Sequence, residues 1–267
     1  MNSRFWRGTC WIALLVPSVL SAGTSTLRIA DTGTLVLMGF AKDGAVVAAD
    51  SGVYENNKLT RTNAIRILRV GNLGALTITG GTRASNAGKE INFYQIATKC
   101  ADSSSDIGLA VNCLSNKISP QLPKHAVKLP RELLVGFYLV GYVNGRRDFE
   151  LLEVEVPKGN GIPKLKPQHV EPAEGFFIGF GKTEFPMEVL AGRVPELASD
   201  PNVKLSASRQ TPEQRGLYTV QEMLQLIKFL LVETESPLAH KYFHDVPLHG
   251  PNKFVVIDSK SGFRWTN

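Results

Sequence analysis

The 267-residue sequence has no internal repeat, no low-complexity segment and only three cysteines. Its content of 43% hydrophobic and 20% charged residues is ordinary for a soluble globular protein and argues against disorder. The net charge of +6 is small and the charges are scattered, so no basic patch predicts nucleic-acid binding. The length suits one domain, or one domain with small appendages.

The apolar run Trp11–Leu20 is too short to span a bilayer. Arg4 and Arg7 precede it and the small residues 21–23 follow it, which is the layout of a secretory signal peptide. We expect residues 1–22 to be removed on export to the periplasm or the outside of the cell, leaving no membrane attachment. The remaining chain would carry 28 basic and 24 acidic residues, a net charge of +4. An uncleaved, buried N-terminal segment is the alternative.

The cysteine count is compatible with export. Cys10 would leave with the signal peptide, and Cys100 and Cys113 would remain. In an oxidising compartment these two could form one disulfide. Two half-buried thiols on neighbouring helices are the other interpretation.

Four apolar, β-prone runs open the rest of the chain. Lys42-Asp43-Gly44 lies between the first two and predicts a hairpin turn, because Asp-Gly between hydrophobic runs is a strong turn signal. The block closes on Gly80-Gly81. The four runs are Gly33–Phe40, Ala45–Asp50, Ala64–Val70 and Leu73–Thr79.

Periodicity and turn residues predict the remaining elements. Asn144-Gly145 predicts a hairpin between two of the strands, and Asp106 is an N-cap candidate for the second helix. Pro-rich Lys158–Gln168 and Arg193–Thr211 are expected to be irregular. The predicted helices are Thr82–Ala101, a helix from Asp106 through Leu114, Thr183–Ala191 and Val220–Glu233. The predicted strands are Leu133–Val143, Phe149–Val156, Phe176–Phe180, Lys253–Ser259 and Gly262–Trp265. This order indicates an α+β fold.

The opening block resembles the N-terminal segment of a proteasome-type β-subunit, an N-terminal-nucleophile (Ntn) hydrolase. On that pattern Thr34 takes the place of the nucleophile, and Asp50 that of the aspartate in the Ala-Ala-Asp-Ser signature. Arg66 falls where the family has its catalytic lysine, and Gly80 where a backbone amide forms the oxyanion hole. No gap is needed from Thr34 to Gly81.

The resemblance implies a four-layer αββα sandwich, in which two antiparallel sheets lie between helical layers, over residues 34–267. Residues 23–33 would be a propeptide-like segment, removed when the chain cleaves its own Gly33–Thr34 bond. The implied activity is hydrolysis of peptide or amide bonds without a metal or organic cofactor. The family assembles into rings, so a homo-oligomer is implied.

The chemistry needs a base and a charged surrounding for the threonine hydroxyl. Once N-terminal, Thr34 could use its own α-amine, whose ordinary pKa is about 8. Asp50 and Arg66 could supply the electrostatics, and the N–H of Gly80 could stabilise the oxyanion. Arginine stays protonated in proteins, so Arg66 cannot shuttle a proton as a lysine could.

Two weaker similarities lie in the second half of the chain. Gly179-Phe180-Gly181 resembles the family's Gly-Ser-Gly, with Phe180 in place of a serine that supports the nucleophile. Residues 245–250 resemble Asp-x-x-Ser-Gly-Gly, in which Asp245 is retained as a supporting carboxylate and Leu248 replaces the second serine.

These departures keep two rival hypotheses open. One is an inactive scaffold or binding protein, in which Asp50 and Arg66 are a structural ion pair. The other is an amidase acting on small amides.

The resemblance also predicts the primary substrate pocket. Its walls would be mostly small and apolar, which favours a hydrophobic side chain before the bond that is cut. The matching residues are Val53, Ala64, Leu68, Ile78 and Thr82.

His240 and His244 have a spacing that binds zinc when it is helical, with Asp245 and His249 nearby. Prolines at 247 and 251 interrupt a helix beyond this point, so we interpret the segment as a solvated polar turn and predict no metal. Lys158–Lys166 is likewise interpreted as a solvated face.

Overall fold

A computed structural model gives the architecture of most of the chain beyond its N-terminal segment. The residues it describes are 25–33, 35–55, 58–62, 64–86, 88–129, 132–181, 183–209, 211–243 and 251–266.

The strands are numbered along the chain. They are β1 Ser25–Thr26, β2 Arg28–Gly33, β3 Leu35–Ala41, β4 Gly44–Ala49, β5 Val53–Glu55, β6 Lys58–Arg61, β7 Ile67–Val70, β8 Gly74–Asn86, β9 Lys89–Asn92, β10 Val127–Lys128, β11 Leu133–Val143, β12 Arg146–Glu155, β13 Asn160–Gly161, β14 Lys164–Val170, β15 Phe177–Gly181, β16 Lys253–Asp258 and β17 Gly262–Thr266.

The α-helices are numbered in the same way. They are α1 Phe93–Ser103, α2 Ile107–Ile118, α3 Glu184–Leu190, α4 Pro201–Ala207, α5 Pro212–Arg215, α6 Val220–Thr234 and α7 Pro237–Tyr242. None of the helices in the described part of the chain combines the length and the apolar character needed to cross a membrane.

Two antiparallel sheets form the frame. Within the described residues, the larger sheet has nine strands in the order β14-β12-β11-β8-β2-β5-β6, with β7 and β9 also paired to β8. The smaller sheet has five strands in the order β15-β3-β4-β16-β17. Short strands β1, β10 and β13 make a further small sheet.

Buried apolar side chains form three clusters among the described residues. The first lies between the larger sheet and helices α1 and α2, where the rings of Phe93 and Phe137 meet edge to face at 6.3 Å. The second lies between the two sheets and contains Phe40 and Tyr138. The third lies between the smaller sheet and helices including α3, α4 and α6, where Ile227 is fully buried. The protein is therefore a mixed α and β structure on two antiparallel sheets, compatible with a sandwich.

The opening hairpin forms as predicted. β3 and β4 are joined by Lys42 and Asp43, and Ala41 pairs with Gly44. Every residue of both strands is buried, because both faces of the smaller sheet are covered. This explains why the sequence shows continuous apolar runs instead of alternation. The carboxylate of Asp43 accepts a hydrogen bond from the N–H of Val220 at 2.8 Å and so ties the turn to the start of α6.

Several other predicted elements are confirmed. The strand Leu133–Val143 has the predicted bounds, and Asn144 and Gly145 both have positive φ, as a two-residue hairpin turn requires. Asp106 is the N-cap of α2, since its carboxylate accepts from Leu109 N–H at 2.9 Å. α6 and the C-terminal hairpin β16–β17 also lie where they were predicted, to within one residue at each end.

The prediction of a helix over Thr82–Ala101 was wrong in its first half. The chain from Thr82 to Asn86 continues β8, which pairs there with β2 and β9. The helix starts only at Phe93, where the Asn92 side chain accepts a hydrogen bond from Gln95 N–H at 2.9 Å.

Two segments predicted to be irregular also contain regular structure. Lys164–Val170 is β14, the edge strand of the larger sheet, and Pro167 lies opposite Leu152. Proline is tolerated there because an edge strand needs no ladder donor on its open side. Pro201–Ala207 is α4, capped by Asp200, whose carboxylate accepts from Asn202 N–H at 2.7 Å.

The two remaining cysteines are bonded to each other. Cys100 on α1 and Cys113 on α2 form a disulfide with a Cα–Cα distance of 5.6 Å. Of the two interpretations that the sequence left open, the structure contains the disulfide.

Candidate active site

The chain passes from one sheet to the other at residue 34. Gly33 ends β2 in the larger sheet and pairs with Gly80 of β8. Leu35 begins β3 in the smaller sheet. Thr34, the predicted nucleophile, lies outside the described residues, but both of its neighbours in the chain are anchored.

Asp50 is bound to the residue that follows the predicted nucleophile. It comes directly after β4 and is only 1% exposed. Its Oδ1 accepts a hydrogen bond from Leu35 N–H at 2.9 Å, and its own N–H donates to the Leu35 carbonyl at 3.1 Å. The start of β3 is therefore fastened to this carboxylate through both backbone groups of Leu35.

Arg66 is a buried cation that contacts the same turn. It is 3% exposed and lies just before β7. Its Nη2 donates to the carbonyl of Gly52 at 3.2 Å. Asp50 thus belongs to the three-residue segment that links β4 to β5, and the Arg66 guanidinium contacts the same segment.

Ser51 holds this segment in place. Its hydroxyl oxygen lies 2.7 Å from the carbonyl of Thr62 and 2.8 Å from that of Pro251. Its own carbonyl accepts from Ala64 N–H at 3.0 Å. The serine of the Ala-Ala-Asp-Ser signature therefore connects three parts of the chain around the candidate site.

Gly80 requires the freedom of a glycine. Its φ of +76° lies in the left-handed region that side chains disfavour. A Cβ at this position would lie 2.7 Å from the Leu134 carbonyl oxygen and 3.2 Å from the Val135 Cα. Gly80 therefore lies against β11 on one side and opposite Gly33 of β2 on the other, with no room for a side chain.

Phe180 is the residue that the sequence resemblance aligns with a serine. In β15 it pairs with Val36, one residue beyond Leu35. Its ring stacks on that of Tyr138 with a centroid distance of 3.4 Å and an angle of 11°. The replacement is accommodated by an aromatic stack between the two sheets.

Tyr138 and Glu153 form a polar pair beside Thr79 that sequence reasoning missed. The Tyr138 hydroxyl donates to Glu153 Oε1 at 2.9 Å and lies 3.5 Å from the Thr79 hydroxyl. Burial raises the pKa of the phenol, which keeps it a donor. The Asn144-Gly145 turn was the available signal, since it sets the register that brings this face of β11 to Glu153.

The predicted walls of the substrate pocket are largely covered. Val53, Ile78 and Thr82 are buried, and Ala64 and Leu68 are half-buried. Ile78 belongs to the cluster between the larger sheet and the helices.

Two cavities of about 310 and 450 Å³ in the described part of the protein are lined by other residues. The structure does not bring the five predicted wall residues around either of these cavities.

The second predicted region is mostly outside the described residues. Asp245 and Leu248 belong to residues 244–250 and are not described, and neither are His244 and His249. His240 lies on α7 and is exposed.

No protein-family model matches the sequence. No curated protein matches it either.

Proposed function

We propose that this chain is a threonine-type Ntn hydrolase of the proteasome β-subunit kind. It would expose Thr34 by cleaving the Gly33–Thr34 bond and then hydrolyse peptide or amide bonds. The observation that carries this proposal is the anchoring of both neighbours of residue 34. Gly33, which holds the carbonyl of the bond to be cleaved, lies opposite Gly80, and Leu35 is bound to Asp50.

Self-cleavage needs only groups of this chain and water. The Thr34 hydroxyl oxygen attacks the Gly33 carbonyl carbon, and its proton passes to the departing amide nitrogen. The resulting ester between Gly33 and the threonine oxygen is hydrolysed by water, which leaves a Gly33 carboxylate and a free Thr34 α-amine and hydroxyl. The Gly80 N–H would stabilise the negative oxygen that forms on the Gly33 carbonyl.

In the mature enzyme the α-amine of Thr34 acts as the base. Its ordinary pKa of about 8 lets a useful fraction be neutral near pH 7. Arg66 contributes positive charge that favours the neutral amine and the developing oxyanion, while remaining protonated throughout. Asp50 acts through the backbone of Leu35, which it holds with two hydrogen bonds. Asp245 is the proposed supporting carboxylate.

The arrangement of sheets and helices supports the proposed fold, and the disulfide supports the proposed export. Helix clusters on the outer faces of two packed sheets are what an αββα Ntn sandwich requires, and we propose that fold here. The Cys100–Cys113 disulfide is typical of proteins in oxidising compartments, which supports export. We also propose a homo-oligomer, on the resemblance alone.

A second candidate function is a non-catalytic scaffold, and one observation favours it. β2, the strand before residue 34, is integrated into the larger sheet through five residue pairs with β8. Cleavage after Gly33 would have to release this paired strand from the sheet, whereas a retained strand would stabilise the fold. The aromatic stack at Phe180 fits the same hypothesis, because it replaces a hydroxyl by apolar packing.

The N-terminal residue of the purified, exported protein decides between the two. Intact mass and N-terminal sequencing would be applied to the wild type, Thr34→Ala and Thr34→Ser. The proposal expects a start at Thr34 in the wild type, no such start in Thr34→Ala, and a start at residue 34 in Thr34→Ser, which keeps the hydroxyl. A start near Gly23 in all three chains would refute the hydrolase proposal and support the scaffold.

Substrate profiling then separates a peptidase from an amidase. Peptide amides with an apolar residue before the cut bond should be hydrolysed by the wild type and not by Thr34→Ala. Turnover of small amides alone, with peptides untouched, would reject the peptidase and keep the Ntn hydrolase.

A further inference from the structure

Three metal-ligating side chains converge at the edge of the larger sheet, away from residue 34. Asp148 and Glu150 alternate on β12, and His169 lies opposite Glu150 on β14. The His169 Nδ1 is 2.9 Å from Glu150 Oε1 and 3.1 Å from Asp148 Oδ1. One ligand atom from each residue lies within 4.8 Å of the other two. The strand register therefore assembles one imidazole nitrogen and two carboxylate oxygens.

The spacing of these atoms suits a small divalent ion. Bonds from zinc to nitrogen or oxygen are about 2.0–2.2 Å long, so tetrahedral ligand atoms lie roughly 3.3 to 3.6 Å apart. The separations of His169 Nδ1 from the two carboxylate oxygens are shorter than this by about 0.2 to 0.7 Å. Small rotations of side chains would open the group to that spacing.

A buried oxygen in the group lacks a hydrogen-bond donor. The Asp148 side chain is 14% exposed, and its Oδ1 accepts no hydrogen bond from the described residues. His169 Nδ1 is close to this oxygen but carries a single proton at most, and Glu150 is the nearer acceptor. A buried carboxylate oxygen without a donor is costly, and a cation would compensate it.

The surroundings add negative charge. Glu171 and Asp106 are close enough to affect the carboxyl of Asp148. Negative charge around the three ligand atoms favours entry of a cation.

We propose that Asp148, Glu150 and His169 bind a divalent first-row transition ion, represented by Zn²⁺, which fastens the edge strand β14 to β12. A mixed set of one imidazole and two carboxylates suits such an ion and leaves a fourth position for water. This site is independent of the proposed hydrolase chemistry.

The test is a titration of the purified full chain with ZnCl₂ alone. A chromophoric chelator in competition would give the stoichiometry and affinity at pH 7. The wild type should bind one equivalent at this site, and zinc should raise its melting temperature. His169→Gln and Asp148→Asn should each weaken binding at least about tenfold. His240→Gln is the matched control, since it removes an exposed imidazole of α7 and should leave the affinity unchanged.

Two results would overturn the proposal. One is a wild type that binds no zinc. The other is binding that survives in His169→Gln and Asp148→Asn but is lost in His240→Gln, which would move the site to the C-terminal histidines. Far-UV circular dichroism of each metal-free variant shows whether it is folded. Because two ligands are removed separately, one misfolded variant still leaves the other to decide.

Discussion

Replacing Gly80 by alanine should destabilise the protein more than the same change at another glycine of equal φ. Gly80 and Gly145 both have a φ of +76°. An added Cβ at Gly80 would meet backbone atoms at 2.7 and 3.2 Å, whereas at Gly145 it would meet nothing within 4 Å. Comparing Gly80→Ala with Gly145→Ala therefore separates the cost of the left-handed backbone from the cost of steric overlap at Gly80, the position that we propose for the oxyanion hole.

The expected magnitudes follow from these contacts. A left-handed backbone costs an alanine about 1–2 kcal/mol, and both variants should lose this much. Overpacking against fixed neighbours typically costs a further ~1–3 kcal/mol, which only Gly80→Ala should lose. For a chain of this size each kcal/mol lowers the melting temperature by about 2–4 °C. Gly80→Ala should therefore melt roughly 2 to 12 °C below Gly145→Ala.

Thermal unfolding followed by circular dichroism measures this difference, with the wild type as the reference. Equal melting temperatures for the two variants would refute the reasoning, because they would mean that β11 does not approach Gly80 closely. If the proposed function is correct, Gly80→Ala should also slow self-cleavage at residue 34 at temperatures where it is still folded, and Gly145→Ala should not.

Three further predictions concern stability. The double variant Cys100→Ala/Cys113→Ala should lose about 3 kcal/mol of unfolding free energy and melt about 6 to 12 °C lower than the wild type. A reducing agent should lower the melting temperature of the wild type to match. An unchanged melting temperature would contradict the crosslink. Thr219→Ala removes the capping box of α6 and should cost about 0.5–2 kcal/mol in urea unfolding, whereas Thr219→Ser should cost less. Hydrogen bonds from Arg209 lower the pKa of Glu222 to about 2. The stabilisation of the folded state by the ionised Glu222 is therefore full above pH 4.5 and is lost as the pH falls toward 2. Arg209→Gln should flatten the dependence of the urea midpoint on pH in that window.

Elements were predicted correctly where residues close together in the sequence determine them. The Asp43-Gly44 and Asn144-Gly145 turns place two hairpins, and the apolar face of Val220–Glu233 places α6. The long strand β8 was missed beyond Thr82, because its pairing with β2 and β9 is a tertiary contact that apolar periodicity does not reveal.

The unpredicted helix α4 had signals of its own. Asp200 is its N-cap and Pro201 its first-turn proline, whereas the sequence analysis interpreted the prolines of this segment only as breakers of regular structure.

The candidate site was predictable only in part. The resemblance singled out Asp50, Arg66 and Gly80, and the structure places each of them next to Gly33, Leu35 or the turn after β4. The resemblance gave no reason to expect the stack of Tyr138 on Phe180, because this contact joins strands of two different sheets. Periodicity and motifs do not predict how elements that are distant in the sequence pack against each other.

The proline in β14 has a consequence beyond the strand itself. β14 is the outermost strand of the larger sheet, and its open side would otherwise offer unpaired backbone groups to another chain. Pro167 interrupts that row of donors, and Lys164 on the same strand adds a positive charge to the edge. The edge is thus protected against uncontrolled strand addition, which would otherwise lead to aggregation.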